Sequence, residues 1–216
     1  EFEEIVKNAV PGGGACGMMG TGNTMGVITE VLGMSMPGNS TTAGRSQEML
    51  ELAYSAGRQI MQLLDKDITA RRIITKESIA NAIKTCMAIG GSGNTIVHVA
   101  AVAAEAEIDM ELSEIYSAAS FEVPLLVGIR PNGRHNMTDF AAARGIRALL
   151  NQIRGHLDTG CLTVNGKTIG ENIAGCEILD SSVIHPIDDP ISTEGGLIYV
   201  TGNLVPDGAF IKQSAV

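Results

Sequence analysis

The chain has 216 residues, 44% of them hydrophobic, with 15 Lys and Arg against 24 Asp and Glu for a net charge of −9. That fits a globular protein with a sizeable core, and the acidic balance without a basic cluster argues against a nucleic-acid partner. No apolar run reaches the roughly 18–20 residues that span a bilayer, no charged-then-apolar leader opens the chain, and the expected compartment is the cytoplasm.

In chain order, Phe2, Ile5, Val6 and Ala9 begin the sequence inside an amphipathic helical pattern. A glycine-rich stretch follows. Met18, Met25, Ile28, Val31 and Leu32 then fall at near-helical spacings, ending before Gly33 and Pro37. The methionines here (Met18, Met19, Met25, Met34, Met36) read as adaptable core filler. Residues 38–44 are a loop by composition. A helix is expected from Ser46, with Met49, Leu52, Ala53, Ala56, Ile60, Leu63 and Leu64 on one face. Thr75 is the N-cap of the next helix, with Ser78 at its third position, so the cap is expected to be partial.

The turn Gly90-Gly-Ser-Gly-Asn94 interrupts, and helices are expected over residues 95–105 and 112–119. Residues 123–129 are apolar throughout, as in a buried parallel strand. A helix follows over 138–156, weakened by Gly145, then a strand over 162–164 and a short helix over 168–174. From Ile184 the texture changes: His185-Pro-Ile-Asp-Asp-Pro190 reads as a linker, and residues 196–200 and 209–212 as strands joined by a turn. A domain boundary is placed near Asp189. The final strand, running to Val216, has nothing after it to cover it, and the chain opens on Glu1 already in a helix. An internal piece of a longer polypeptide is expected.

The four cysteines, Cys16, Cys86, Cys161 and Cys176, form no CxxC pair and no zinc-like spacing. In a cytoplasmic chain they read as reduced thiols, and Cys86, Cys161 and Cys176 as small core hydrophobes. Cys16 differs. It follows Pro11-Gly-Gly-Gly-Ala15 where a helical pattern begins, and helix-terminal N–H groups there would favour a thiolate. The nucleophile or metal-ligand reading stands beside a plainer one, a small buried cysteine after a tight turn. No Gly-Lys-Ser/Thr follows, so a phosphate loop is a poor alternative.

Gly14-Ala-Cys-Gly-Met-Met-Gly-Thr-Gly-Asn-Thr-Met25 and Glu30-Val-Leu-Gly-Met-Ser-Met-Pro-Gly38 closely resemble the dihydroxy-acid and sugar-acid dehydratase family. Further matches come in order: Gly90-Gly-Ser-Gly-Asn-Thr-Ile-Val-His98, Val123-Pro-Leu-Leu-Val127, Leu162-Thr-Val-Asn-Gly-Lys-Thr168 and Gly202-Asn-Leu-Val-Pro-Asp-Gly-Ala209. The resemblance covers essentially the whole chain. It implies an α/β fold with helix-rich layers around a short parallel sheet, in which residues 1–189 are part of an N-terminal cluster-binding domain. Residues 190–216 would then begin a C-terminal β-rich, barrel-like domain.

It also implies a hydro-lyase that converts a 2,3-dihydroxy carboxylic acid to a 2-keto-3-deoxy acid. The cofactors would be an iron–sulfur cluster, [2Fe–2S] or [4Fe–4S], and Mg²⁺. Cys16 matches the third cluster cysteine. The other two cysteines and the aspartate Mg²⁺ ligands are expected before Glu1, and a glutamate ligand and a serine base after Val216, so the 216 residues alone are expected not to catalyse. Ser92 and Asn94 are candidates for holding substrate carboxylate or hydroxyl groups, with helix capping as the alternative. Gly93 departs from the family's usual threonine. Thr21, Asn23 and His98 share that ambiguity, whereas His135, His156 and His185 read as surface or capping residues, and Asp188-Asp189 as a solvated turn. A small dihydroxy acid is the implied partner, and a homo-oligomer, dimer or tetramer, the implied assembly. Features of the branched-chain and sugar-acid members mix, and the phosphorylated-sugar branch differs after the cysteine. A non-catalytic subunit or interaction domain is the alternative from another class.

Overall fold

The computed structural model describes residues 1–8 and 14–213. Ala9 of the opening helical face, Pro11, Gly12 and Gly13 of the glycine run, and the last three residues of the terminal strand lie outside the described residues. Helices dominate. In order they are α1 (Phe2–Asn8), α2 (Thr21–Val31), α3 (Gln47–Asp65), α4 (Ala70–Ile73), α5 (Lys76–Ala88), α6 (Thr95–Glu105), α7 (Leu112–Glu122), α8 (Met137–Ala142), α9 (Gly145–Gln152) and α10 (Ile169–Ile173). Strands β1 (Ile198–Val200) and β2 (Ala209–Ile211) pair antiparallel, with Tyr199 opposite Phe210.

The core is organised on α5, whose Ile79, Ala82, Ile83, Cys86 and Met87 have no exposed surface. Its cap is complete rather than partial. Thr75 N–H donates to Ser78 Oγ at 2.9 Å while Ser78 N–H donates to Thr75 Oγ1 at 3.3 Å, so a serine hydroxyl closes the box in place of a carboxylate. α10 uses the carboxylate version: Thr168 Oγ1 accepts from Glu171 N–H, and Glu171 Oε2 accepts from Thr168 N–H at 2.7 Å. α2 packs against α5 with Val27, Ile28 and Val31 buried.

α2 stops in a Schellman motif. Gly33 N–H donates to Glu30 O and Met34 N–H to Thr29 O, with Gly33 at φ +81°. Gly33 also meets the chain at residues 162–164, where its carbonyl accepts from Val164 N–H at 2.8 Å. Glu30, 7% exposed, accepts from Gly38 N–H at 2.6 Å and Ser40 N–H at 2.9 Å and so pins the loop after Pro37. Burial pushes its carboxyl pKa up, against the downward pull of those N–H groups.

The expected short parallel sheet is not formed among the described residues. Residues 123–129 are buried, as their apolar pattern requires, but they carry only isolated bridges, antiparallel from Leu125 to Ser192 and Val127 to Ile184 and parallel from Ile129 to His135. Pro186 and Pro190 interrupt the facing segment, and a proline has no N–H to extend a ladder. Residues 162–164 likewise bridge once, Leu162 to Thr168, around a tight turn. The expected helix over 138–156 divides into α8, α9 and a 3₁₀ turn at Arg154–His156, because Arg144 (φ +79°) and Gly145 (φ +57°) are both left-handed. The expected strand pair after residue 196 is present. It rests on α7 through an edge-on Tyr116–Phe210 contact with centroids 5.0 Å apart, and Tyr199 N–H donates to Ser120 Oγ.

α3 begins where expected, and Ser46 caps it, its Oγ accepting from Met49 N–H. Its apolar arc is largely open: only Leu63 is buried, while Tyr54 is 70% and Leu64 72% exposed. Among the methionines, Met19 is fully buried and Met25 and Met34 pack against the core, but Met18 is 40% exposed.

Candidate functional site

Cys16 lies in a loop over residues 14–20, and α2 begins five residues later at Thr21. The thiol is therefore outside the first helical turn, and its surroundings are loop backbone rather than helix N–H groups. It is also exposed, unlike Cys86, Cys161 and Cys176, which are buried. The buried-turn reading of Cys16 is corrected by this exposure. For the other three, core packing holds. Cys86 is pushed up to about 11 by burial, and so is Cys161, by burial with help from Asp158 and Glu77. Those thiols are poor ligands and nucleophiles at neutral pH.

The loop is short but firmly tied. Met19 N–H donates to Arg130 O at 2.7 Å, and Met137 N–H to Gly17 O at 2.9 Å, fixing the segment to the loop before α8. Asn23, in the first turn of α2, reaches back with its side-chain amide and donates to Cys16 O at 2.5 Å and Met18 O at 2.7 Å. Cys16 Sγ itself makes only a 4.0 Å contact with Met18 O.

The same helical turn grips the second glycine-rich turn. Asn94 Nδ2 donates to Thr21 Oγ1 at 2.8 Å, Thr21 Oγ1 and Ser92 Oγ share a hydrogen bond at 3.1 Å, and Ser92 N–H donates to the buried Thr24 Oγ1 at 3.1 Å. Ser92 Oγ also accepts from Asn94 N–H. The capping alternative holds for Ser92, whose Oγ takes that N–H at the start of the turn into α6, whereas Asn94 occupies the cap position in a helical conformation with its side chain turned to Thr21 and makes no cap bond. Gly91 has to be glycine here for space, since a Cβ would sit 2.6 Å from Cys86 Sγ and 2.8 Å from Thr24 Cγ2.

Thr21 and Asn23 therefore join two segments about 70 residues apart in sequence, one carrying Cys16 and the other Ser92 and Asn94. His98 is exposed on α6 and its ring makes no hydrogen bond among the described residues. His135 faces Asp139 at 3.8 Å and His185 Nδ1 contacts Asp189 O, while Asp188 and Asp189 are exposed.

Three participants were not visible in the sequence. Lys212, after β2, donates from Nζ to Gly91 O at 3.2 Å, and its half-burial lowers its pKa. Asn132 donates from Nδ2 to Gly90 O at 2.5 Å. The Arg130 carbonyl holds Met19. Pro131-Asn-Gly133 announces a turn, but nothing local says that the turn meets Gly90. Among the described residues no group of three or more His, Cys, Asp or Glu stands close enough to hold a metal ion. Cys16 has no companion ligands grouped with it among the described residues.

A groove of about 300 Å³ runs between α3 and Met34 and Met36, and another of about 570 Å³ lies beside Thr41, Ser46, Arg144 and Arg147. Neither is lined by Cys16, Ser92 or Asn94. No helix among the described residues is long and apolar enough to cross a membrane.

Residues 1–172 match the dihydroxy-acid/6-phosphogluconate dehydratase N-terminal family model and residues 182–216 the corresponding C-terminal model. A protein of Caldicellulosiruptor bescii named dihydroxy-acid dehydratase is 44% identical over 214 residues, 98% of this chain and 39% of that protein. Proteins of the same name from Nitratidesulfovibrio vulgaris and Methanosphaera stadtmanae are each 40% identical over the whole chain, covering 40% and 39% of their own lengths. The chain spans about two fifths of the length of these relatives. With its N- and C-terminal models matched in order along 207 of 216 residues (172 in the first plus 35 in the second), the chain belongs to the dihydroxy-acid/6-phosphogluconate dehydratase family.

Proposed function

We propose that the full-length protein containing this chain is a hydro-lyase that dehydrates a 2,3-dihydroxy carboxylic acid to a 2-keto-3-deoxy acid, in branched-chain amino-acid biosynthesis. The observation that carries the reading is Cys16: the exposed cysteine of the four, in a tied loop, at the position where the family's motif has a cluster ligand. Relatives named dihydroxy-acid dehydratase at 40–44% identity favour that substrate over an aldonate.

Cys16 would hold an iron–sulfur cluster, [2Fe–2S] or [4Fe–4S], together with cysteines of the full-length protein outside these 216 residues. When bound, such a cluster supplies a Lewis acid for a departing hydroxyl. The described residues hold no group of ligands for Mg²⁺, so that ion would be held by residues of the full-length protein outside these 216. This chain's own contribution is positioning. Thr21, Ser92 and Asn94 hold the second glycine turn beside the cysteine loop, and Asn94, exposed and using only its Nδ2 toward Thr21, keeps its Oδ1 free to accept from a substrate hydroxyl. Ser92 is the second substrate contact. Cytoplasmic location and a homo-oligomer, dimer or tetramer, complete the proposal. We place a domain boundary near Asp189; the change of family model falls somewhat earlier, between residues 172 and 182. The strands of a parallel sheet, and the further strands of a C-terminal barrel, would come from the rest of the full-length chain.

The test is keto-acid formation by the full-length protein, purified without oxygen, from 2,3-dihydroxyisovalerate beside a panel of aldonates, with Cys16→Ser as control. Turnover of dihydroxyisovalerate that is lost in the variant supports the proposal. Preference for an aldonate moves the protein to sugar-acid catabolism, and no turnover with an intact cluster overturns the dehydratase reading.

A further inference from the structure

We propose that Asn23 is the positioning residue for the Cys16 thiolate, acting through the backbone on either side of it; the inference rests on Cys16 being a cluster ligand. The cysteine loop has three anchors, and they do different things. Met19 N–H on Arg130 O and Gly17 O on Met137 N–H fix the chain after the cysteine. The peptide of Cys16 itself is held, among the described residues, by Asn23 alone. One planar amide spends both of its N–H bonds there, on Cys16 O at 2.5 Å and Met18 O at 2.7 Å.

Two physical consequences follow from that bidentate grip. First, the grip restrains the backbone that sets the Cα–Cβ direction of Cys16, which narrows the region the exposed thiol reaches before any metal arrives. Second, the carbonyl oxygens of Cys16 and Met18, the latter 4.0 Å from the thiol, are partial negative charges that would repel an anionic thiolate-bound cluster. Amide N–H groups aimed at them offset that charge locally. Glutamine would be one methylene too long for the same grip, and aspartate has the size but no donor. Asn23 is half-buried and lies outside the hydrophobic core.

Loss of an outer partner of a metal ligand lowers metal retention by about 10- to 100-fold in general, and that range is expected here. The experiment uses the full-length protein, reconstituted without oxygen, as parent, Asn23→Asp, Asn23→Ala and Cys16→Ser. Iron release to a ferrous chelator and the visible absorbance of the cluster are followed, and the melting point of each cluster-free protein is measured. Both Asn23 variants are expected to release iron at least about tenfold faster than the parent while melting, cluster-free, at the parent's temperature. Release at the parent's rate overturns the proposal. So does a cluster-free melting point well below the parent's, which would make Asn23 a structural residue. Cys16→Ser separates the two layers. If it keeps its cluster, the ligand reading fails; if it loses the cluster while Asn23→Asp behaves as the parent, only the positioning role fails.

Discussion

Gly33→Ala tests how tightly the C-terminus of α2 is fitted to the rest of the protein. Gly33 has φ +81°, and a Cβ there would lie 2.6 Å from Leu162 O, 2.9 Å from Ile73 Cγ2 and 3.1 Å from Thr163 Cα. Two costs add. The left-handed conformation costs a residue with a Cβ about 1–2 kcal/mol. The overlap with backbone at Leu162, which cannot rotate away, costs a further ~1–3 kcal/mol as overpacking. Gly38→Ala isolates the first cost, since Gly38 has φ +90° with no atom within 4 Å of the added Cβ. Urea unfolding of the two variants should therefore place Gly33→Ala below Gly38→Ala by about 1–3 kcal/mol. Equal losses would refute the argument, because they would mean that residues 162–164 give way and that the contact with Gly33 is loose.

Glu30→Gln should change how stability depends on pH. Burial raises the folded pKa of Glu30 above the ordinary 4.5, so its contribution is fully present below pH 4.5 and is lost as pH climbs through the raised value. The stability advantage of the parent over the variant should thus shrink from acid to neutral pH in urea titrations, and an advantage that grows would contradict the assignment. Cysteine reactivity should be selective: in cluster-free protein at pH 8, iodoacetamide should label Cys16 first. Cys86 and Cys161, buried with pKa values of about 11, should wait for denaturant. Peptide mapping that found prompt label on Cys86 would show that α5 is not packed as described.

Local patterns were strong enough to fix much of this molecule from sequence. Apolar spacing located α2, α3, α5, α6 and α7, because a helix face is written into residues three and four apart. The Thr75 cap and the strand pair after residue 196 were legible for the same reason: caps and hairpins are contacts within a dozen or so residues. Motif order gave the family and singled out Cys16. What lay beyond reach was contact across the chain. Whether the buried run at 123–129 joins a parallel sheet depends on its partner, and that partner is a proline-interrupted segment some 60 residues away. Whether the 138–156 pattern stays one helix depends on two left-handed residues at its middle. The exposure of Cys16, the grip of Asn23 on its backbone, and the meeting of Lys212 and Asn132 with the turn at Gly90 are long-range or side-chain events that periodicity does not encode. The residue types of the site are a property of the sequence, whereas their alignment is decided by which loops the core of α2 and α5 brings side by side, since burial selects the packing and the packing aims the polar groups.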